Sequence, residues 1–144
     1  MNKDTLNELG SKQQYVFHGT GTIIEEFEPR QAYNKNIPDG KPAVWATPVL
    51  NYAIFNALFN KINCPRGYTA RVNKLNSDNL TYEATKESLD QINENTKGCI
   101  YVFNRSDFEQ KNMSEWISYK KVKPIKMFEI SRKDFPLPIK EFVD

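Results

Sequence analysis

Ala43-Val44-Trp45-Ala46-Thr47-Pro48 opens the stretch on which the fold turns. Ala43 to Ala46 reads as a short strand. Thr47-Pro48 then reads as a helix start, with a hydroxyl at the N-cap and proline at the first helical position. Val49, Leu50, Ala53, Ile54, Ala57 and Leu58 follow at helical spacings. They predict a helix to about Lys61, apolar on most sides and therefore packed against a sheet. Cys64-Pro65-Arg66-Gly67 ends it.

Working outward, Asp4 to Leu9 predicts a short helix stopping at Gly10. Tyr15-Val16-Phe17 predicts a fully buried strand that runs into the turn-rich His18-Gly19-Thr20-Gly21-Thr22. Glu25 to Lys41 holds Pro29, Pro38, Asp39 and Gly40 without sustained periodicity, so it reads as a long ordered loop of the kind that is commonly functional. Downstream, Tyr68, Ala70 and Val72 alternate with polar residues, as a half-buried strand does. Thr85 to Glu94 predicts a short helix with Leu89 and Ile92 inward, and Gly98 opens a buried strand, Cys99 to Phe103. Trp116 to Tyr119 and Val122 to Ile130 predict two further strands, the second placed near an edge or bulge by Pro124. Phe135-Pro136-Leu137-Pro138 ends the regular structure. Runs of neighbouring strands favour an α+β domain over a doubly wound parallel sheet. No repeat or linker divides the 144 residues, which read as one domain over 1–144.

Composition narrows the function. Hydrophobic residues at 39% and charged residues at 26% suffice for a real core and argue against disorder. A formal charge of +2 excludes a chain built to coat nucleic acid or anionic lipid by bulk electrostatics, though not one with a local basic groove. Two cysteines make no disulfide framework, and with His18 as the one imidazole neither a closed zinc site nor H-E-x-x-H chemistry can be built. Cys64 and Cys99 read as buried small hydrophobes, and nothing local supports a Cys–His nucleophile pair. Met1 to Gln14 carries no apolar signal segment, and Val44 to Phe59 is too short and too interrupted to span a bilayer. The expectation is a cytoplasmic protein with no membrane partner and no metal.

Three stretches are candidates for chemistry. In Val16-Phe17-His18-Gly19-Thr20 a strand end delivers an imidazole, a glycine and a hydroxyl in succession. Gly19 admits a flat ligand to the backbone N–H and C=O, and His18 can hold a ribose hydroxyl. The same residues read equally as a core histidine followed by a turn. Trp45 lies just before a helix N-terminus, where it reads either as a core plug or as a stacking platform beside a site that favours anions. Glu115, at the start of Glu115-Trp116-Ile117-Ser118-Tyr119, is a carboxylate suited to facing a cleft. Lys120, Lys121 and Lys123 read as the solvated face of a hairpin.

Taken in order, these motifs resemble the ADP-ribosyltransferase-like superfamily, in particular its small bacterial members with a His, aromatic, acidic triad such as the rifamycin ADP-ribosyltransferases. The RNA 2′-phosphotransferases are a more distant likeness. The resemblance runs from residue 15 to about residue 130. It implies a split, mostly antiparallel β-sheet core with flanking helices, and NAD as co-substrate without a metal. It further implies ADP-ribosyl transfer to a protein, nucleic acid or small-molecule acceptor, with release of nicotinamide. By resemblance His18 binds ribose, the Gly19 backbone holds the carboxamide, and Trp45 stacks on nicotinamide where tyrosine is usual. Glu115 would stabilise the positive charge that develops on the sugar. Thr20, Thr47, Phe55 and Ser118 would line the same NAD cleft. The second ring of the nicotinamide sandwich falls between Phe55 and Asn56, and Ala53 stands where many members carry a hydroxyl. The arginine-specific Gln-x-Glu or Glu-x-Glu element is absent. Two other readings stay open: a nucleotide- or partner-binding module on the same fold without catalysis, and an unrelated α+β interaction domain.

With so few metal-ligating side chains, treatment with EDTA is expected to leave the melting temperature unchanged. A substantial fall would reveal a carboxylate-built metal site.

Overall fold

Residues 98–103 are buried without interruption, which a strand shows only when both faces of its sheet are covered. In a computed structural model, which describes residues 3–29, 42–76 and 79–143, this run lies in β5 (Lys97–Asn104), the centre of the main sheet. β1 (Tyr15–Thr20) and β8 (Lys126–Ser131) flank it, both antiparallel. Alternation sends Phe17, Ile100, Val102, Phe128 and Ile130 into one core cluster. Val16, Tyr101 and Phe103 go into a second cluster on the other face, with Phe27, Val44 and Phe108.

The first cluster is closed by α2 (Leu50–Leu58), which lies across β1 and β5. α1 (Lys3–Gly10) adds Leu6 to it. The second sheet is β2 (Val44–Ala46), β7 (Trp116–Ser118) and β6 (Glu109–Gln110), in the order β2-β7-β6 and antiparallel throughout. The third is β3 (Ala70–Asn76), β4 (Asn79–Thr85) and β9 (Ile139–Phe142), with β4 and β9 parallel. The short α3 (Lys86–Asp90) follows β4, and the Thr85 hydroxyl caps it by accepting from the Ser88 N–H. The chain is therefore α+β, with three small, mostly antiparallel sheets and three helices among the described residues.

Several boundaries differ from expectation for identifiable reasons. α2 starts at Leu50 rather than after Thr47, because the Thr47 N–H and C=O are both spent on Phe17, at 2.8 and 2.7 Å. It stops at Leu58 because the Asn63 side-chain amide takes the carbonyls of Ala57 and Leu58, while that of Asn60 also reaches Ala57. β1 runs through His18 and Gly19 to Thr20, where a turn was expected, because β5 pairs with it over that whole length. Pro124 interrupts the expected strand Val122 to Ile130: Val122 bridges Phe27, and the paired strand starts at Lys126. Regular structure does not end at Pro138, since β9 follows. The helix expected over Thr85 to Glu94 shortens to α3. Of the loop expected over Glu25 to Lys41, residues 30–41 lie outside the described residues.

The seating of α2 rests on two glycines. A Cβ at Gly19 would overlap the Ala53 carbonyl, and one at Gly98 would overlap the Ala57 carbonyl. Ala53 and Ala57 sit one turn apart on the same helix face. Helix backbone therefore lies directly against strand backbone at two points. Gly98→Ala is expected to destabilise the fold by roughly 1–3 kcal/mol, the usual range for overpacking. The midpoint and slope of urea unfolding measure it.

Candidate functional site

The β1–β2 junction creates the site. Phe17 and Thr47 form a single antiparallel bridge, the backbone link between the first and second sheets. Had pairing continued, Gly19 would stand opposite Trp45. The strands part instead, and the Trp45 carbonyl is bonded at 2.6 Å by His18 Nδ1. A carbonyl only accepts, so Nδ1 carries the proton. The neutral ring then presents Nε2 as an acceptor. Burial holds the imidazole below its ordinary pKa, against the opposing pull of the Trp45 carbonyl. Phe27 supports the ring edge-on, with centroids 4.8 Å apart.

Beside this opening lies a cleft of about 270 Å³ walled by His18, Gly19, Trp45, Thr47 and Glu115. Phe17 turns its N–H and C=O toward Thr47, so strand alternation points those of Gly19 to the same side, where β2 has diverged. Thr47 is buried, and its Oγ1 accepts from the Val49 N–H at 3.0 Å. Trp45 is half-buried, and its indole Nε1–H is buried without a hydrogen-bond partner among the described residues.

Glu115 reaches the cleft from the turn between β6 and β7. Its carbonyl accepts from the N–H groups of Lys111 and Asn112, at 2.9 and 3.1 Å, which closes the turn. The Asn112 amide donates to the Glu115 carboxylate at 3.0 Å, while Asn112 Oδ1 accepts from the Ser114 N–H. This Asx-type turn fixes where the carboxylate points.

Three expected residues lie outside this cleft. Phe55 is 2% exposed and packs on Phe59, Tyr82 and Phe135, because the face of α2 that carries it looks into the core. The cleft face of α2 presents Tyr52 and Asn56 instead, one turn apart. Ser118 is three residues from Glu115, an odd offset that reverses its face and carries it about 10 Å along the strand. Its hydroxyl is engaged with the Lys120 backbone, and it lines a separate groove. Thr20 lies in a second cleft, of about 250 Å³, that shares His18 and Trp45 with the first.

Sequence reasoning missed Tyr52, Ser114 and Asn112. Tyr52 was legible as the residue one turn before Asn56, and Asn112 as the head of an Asn-x-Ser turn. Ser114 carries no signal of its own. Among the described residues, no three His, Cys, Asp or Glu side chains come together as a metal site would require, and no helix is long and apolar enough to cross a membrane. No family model matches the chain, and no curated protein or solved structure matches it.

His18 sets a pH dependence. Its folded-state pKa lies below the ordinary 6.5, so the unfolded chain takes up the proton first as pH falls. Its contribution to stability is complete above pH 6.5 and declines below it, toward the folded-state value. Since no second histidine exists, His18→Asn is expected to flatten the stability profile just below pH 6.5, as read by urea unfolding across pH.

Proposed function

We propose that the cleft holds NAD, and that the protein is a transferase on an ADP-ribosyltransferase-like fold, moving ADP-ribose to an acceptor and releasing nicotinamide. The observation that carries this reading is convergence. His18, Trp45 and Glu115 come from three separate stretches, 18, 45 and 115 in the chain, and wall one cleft. They are also the residues that the motif order singles out.

The chemistry of the lining suits such a ligand. Two clefts that share His18 and Trp45 suit a molecule made of two flat halves. The Gly19 N–H and C=O form a donor–acceptor pair matched to a carboxamide, and Tyr52 and Trp45 offer aromatic faces. His18 Nε2 accepts from a sugar hydroxyl. When bound, NAD supplies an activated glycosidic bond whose cleavage leaves positive charge on the ribosyl carbon. Glu115, held by Asn112, stabilises that charge more as it develops than before, which is how a fixed carboxylate accelerates a step.

A second reading, binding without turnover, is favoured by one observation. Neither cleft has a Lys or Arg among its described lining residues to meet a diphosphate.

The two readings separate on Glu115. Glu115→Gln is expected to keep NAD affinity within about tenfold, roughly 1.4 kcal/mol, while nicotinamide release falls by a much larger factor. Trp45→Ala is expected to weaken binding itself. Calorimetric NAD titration beside a nicotinamide-release assay measures both. Wild-type protein that fails to bind NAD at millimolar concentration would overturn the proposal, and binding without release would select the second reading.

A further inference from the structure

The lysine run after β7 walls a groove. β6 and β7 pair only as far as Glu109 and Ile117. Beyond that register the chain before β6 folds into a 3₁₀ turn, Arg105–Asp107, while the chain after β7 runs on to Val122, which bridges Phe27. Between the parted segments lies a groove of about 510 Å³, larger than either cleft beside His18. Phe108 and Val122 line it and are buried in the second core cluster, so it is seated on packed structure. The Ser118 hydroxyl, bonded to the N–H and C=O of Lys120, and the Val122–Phe27 bridge hold the lysine lip in place.

The two lips carry opposite charge. One brings Asp107 and Glu109, the other Lys120, Lys121 and Lys123. Lys121 is spent on Glu28, at 3.2 Å. The other four are exposed, and none of them joins an ion pair among the described residues. Two carboxylates therefore stand against two ammonium groups across one groove without neutralising them. Such a groove disfavours any occupant of a single sign, because one lip always repels it. It is the complement of its own copy, since a half-turn about an axis normal to the surface exchanges the lips. Tyr119, 43% exposed on the lysine lip, adds an aromatic of the kind that anchors interfaces.

We propose that this groove is the interface of a two-fold symmetric dimer, setting Lys120 and Lys123 of each copy against Asp107 and Glu109 of the other. No residue lines both this groove and the first cleft, so the inference goes beyond the NAD reading and does not depend on it.

Sedimentation velocity at low salt is expected to show a monomer–dimer equilibrium whose dimer fraction falls as salt is raised, because exposed charge pairs are screened. Lys120→Glu with Lys123→Glu makes both lips acidic, and Asp107→Lys with Glu109→Lys makes both basic. Each variant alone is expected to dissociate, with Kd rising about tenfold or more. Mixed in equal amounts, the two are expected to form a heterodimer, because every reversed lip then meets its complement. Thermal melting checks that both are folded. Lys120→Gln with Lys123→Gln, expected to weaken the dimer less, replaces a reversal that does not fold.

Wild-type protein that stays monomeric at millimolar concentration and low salt would overturn the proposal, as would a dimer indifferent to the lip substitutions. Two folded, dissociated variants that fail to recombine would show that the lips do not face each other, and overturn it too. Monomeric wild type that binds heparin through Lys120 and Lys123 would assign the groove to a polyanion instead.

Discussion

The carbonyls of Ala53 and Ala57 press on strand backbone at Gly19 and Gly98, and the rest of the structure is arranged around that approach. It holds α2 close enough for Ile54, Phe55 and Leu58 to reach the first core cluster. It also fixes how far the helix stands from β1, and so where Tyr52 and Asn56 meet the cleft. Gly19 therefore serves a structural purpose on the face where its side chain is missing, and a backbone purpose along its edge. The two are compatible because a strand's side-chain direction is perpendicular to its hydrogen-bonding direction. A glycine at this position need not be explained by a ligand at all, although its N–H and C=O remain directed to the side where β2 has parted from β1.

What was legible in the sequence follows from the strength of the local signal. The buried strand around Cys99–Phe103 and the apolar helix were readable because each carries a dense, uninterrupted pattern. The ends of that helix were misread because tertiary bonds decided them: Thr47 gave its backbone to Phe17, and Asn60 and Asn63 took the last carbonyls. β9 was missed because Ile139-Lys140-Glu141-Phe142 has a polar middle and follows two prolines. Of the candidate site, His18, Gly19, Trp45, Thr47 and Glu115 were readable from motif order and lie on one cleft. Phe55 and Ser118 were placed by resemblance, and motif order does not tell which face of a helix or strand the core will claim.

The site is built from weak individual parts. A histidine held neutral by burial and oriented by a carbonyl, an indole with an unmatched N–H, and a carboxylate steadied by one asparagine would each be unremarkable alone. Their common origin is the parting of β1 from β2 after a single bridge. A sheet that stayed zipped would place Gly19 against Trp45 and leave no room. The split spares backbone groups from pairing, and His18 satisfies one of them with its side chain.

The pairing of β1 with β5 also bears on how the chain reaches this state. Tyr15 is opposite Asn104 and Thr20 is opposite Cys99, so the central strand pair joins segments some 80–90 residues apart. The backbone seating of α2 needs both strands in place, because one of its two glycines lies on each. Little of the main core is therefore available to local encounters, and the loop entropy must be met before the long-range contacts repay it. Such a topology belongs to the slow-folding end of small α+β domains. It leaves the apolar run 99–103 waiting, and exposed to misassociation, until its distant partner arrives.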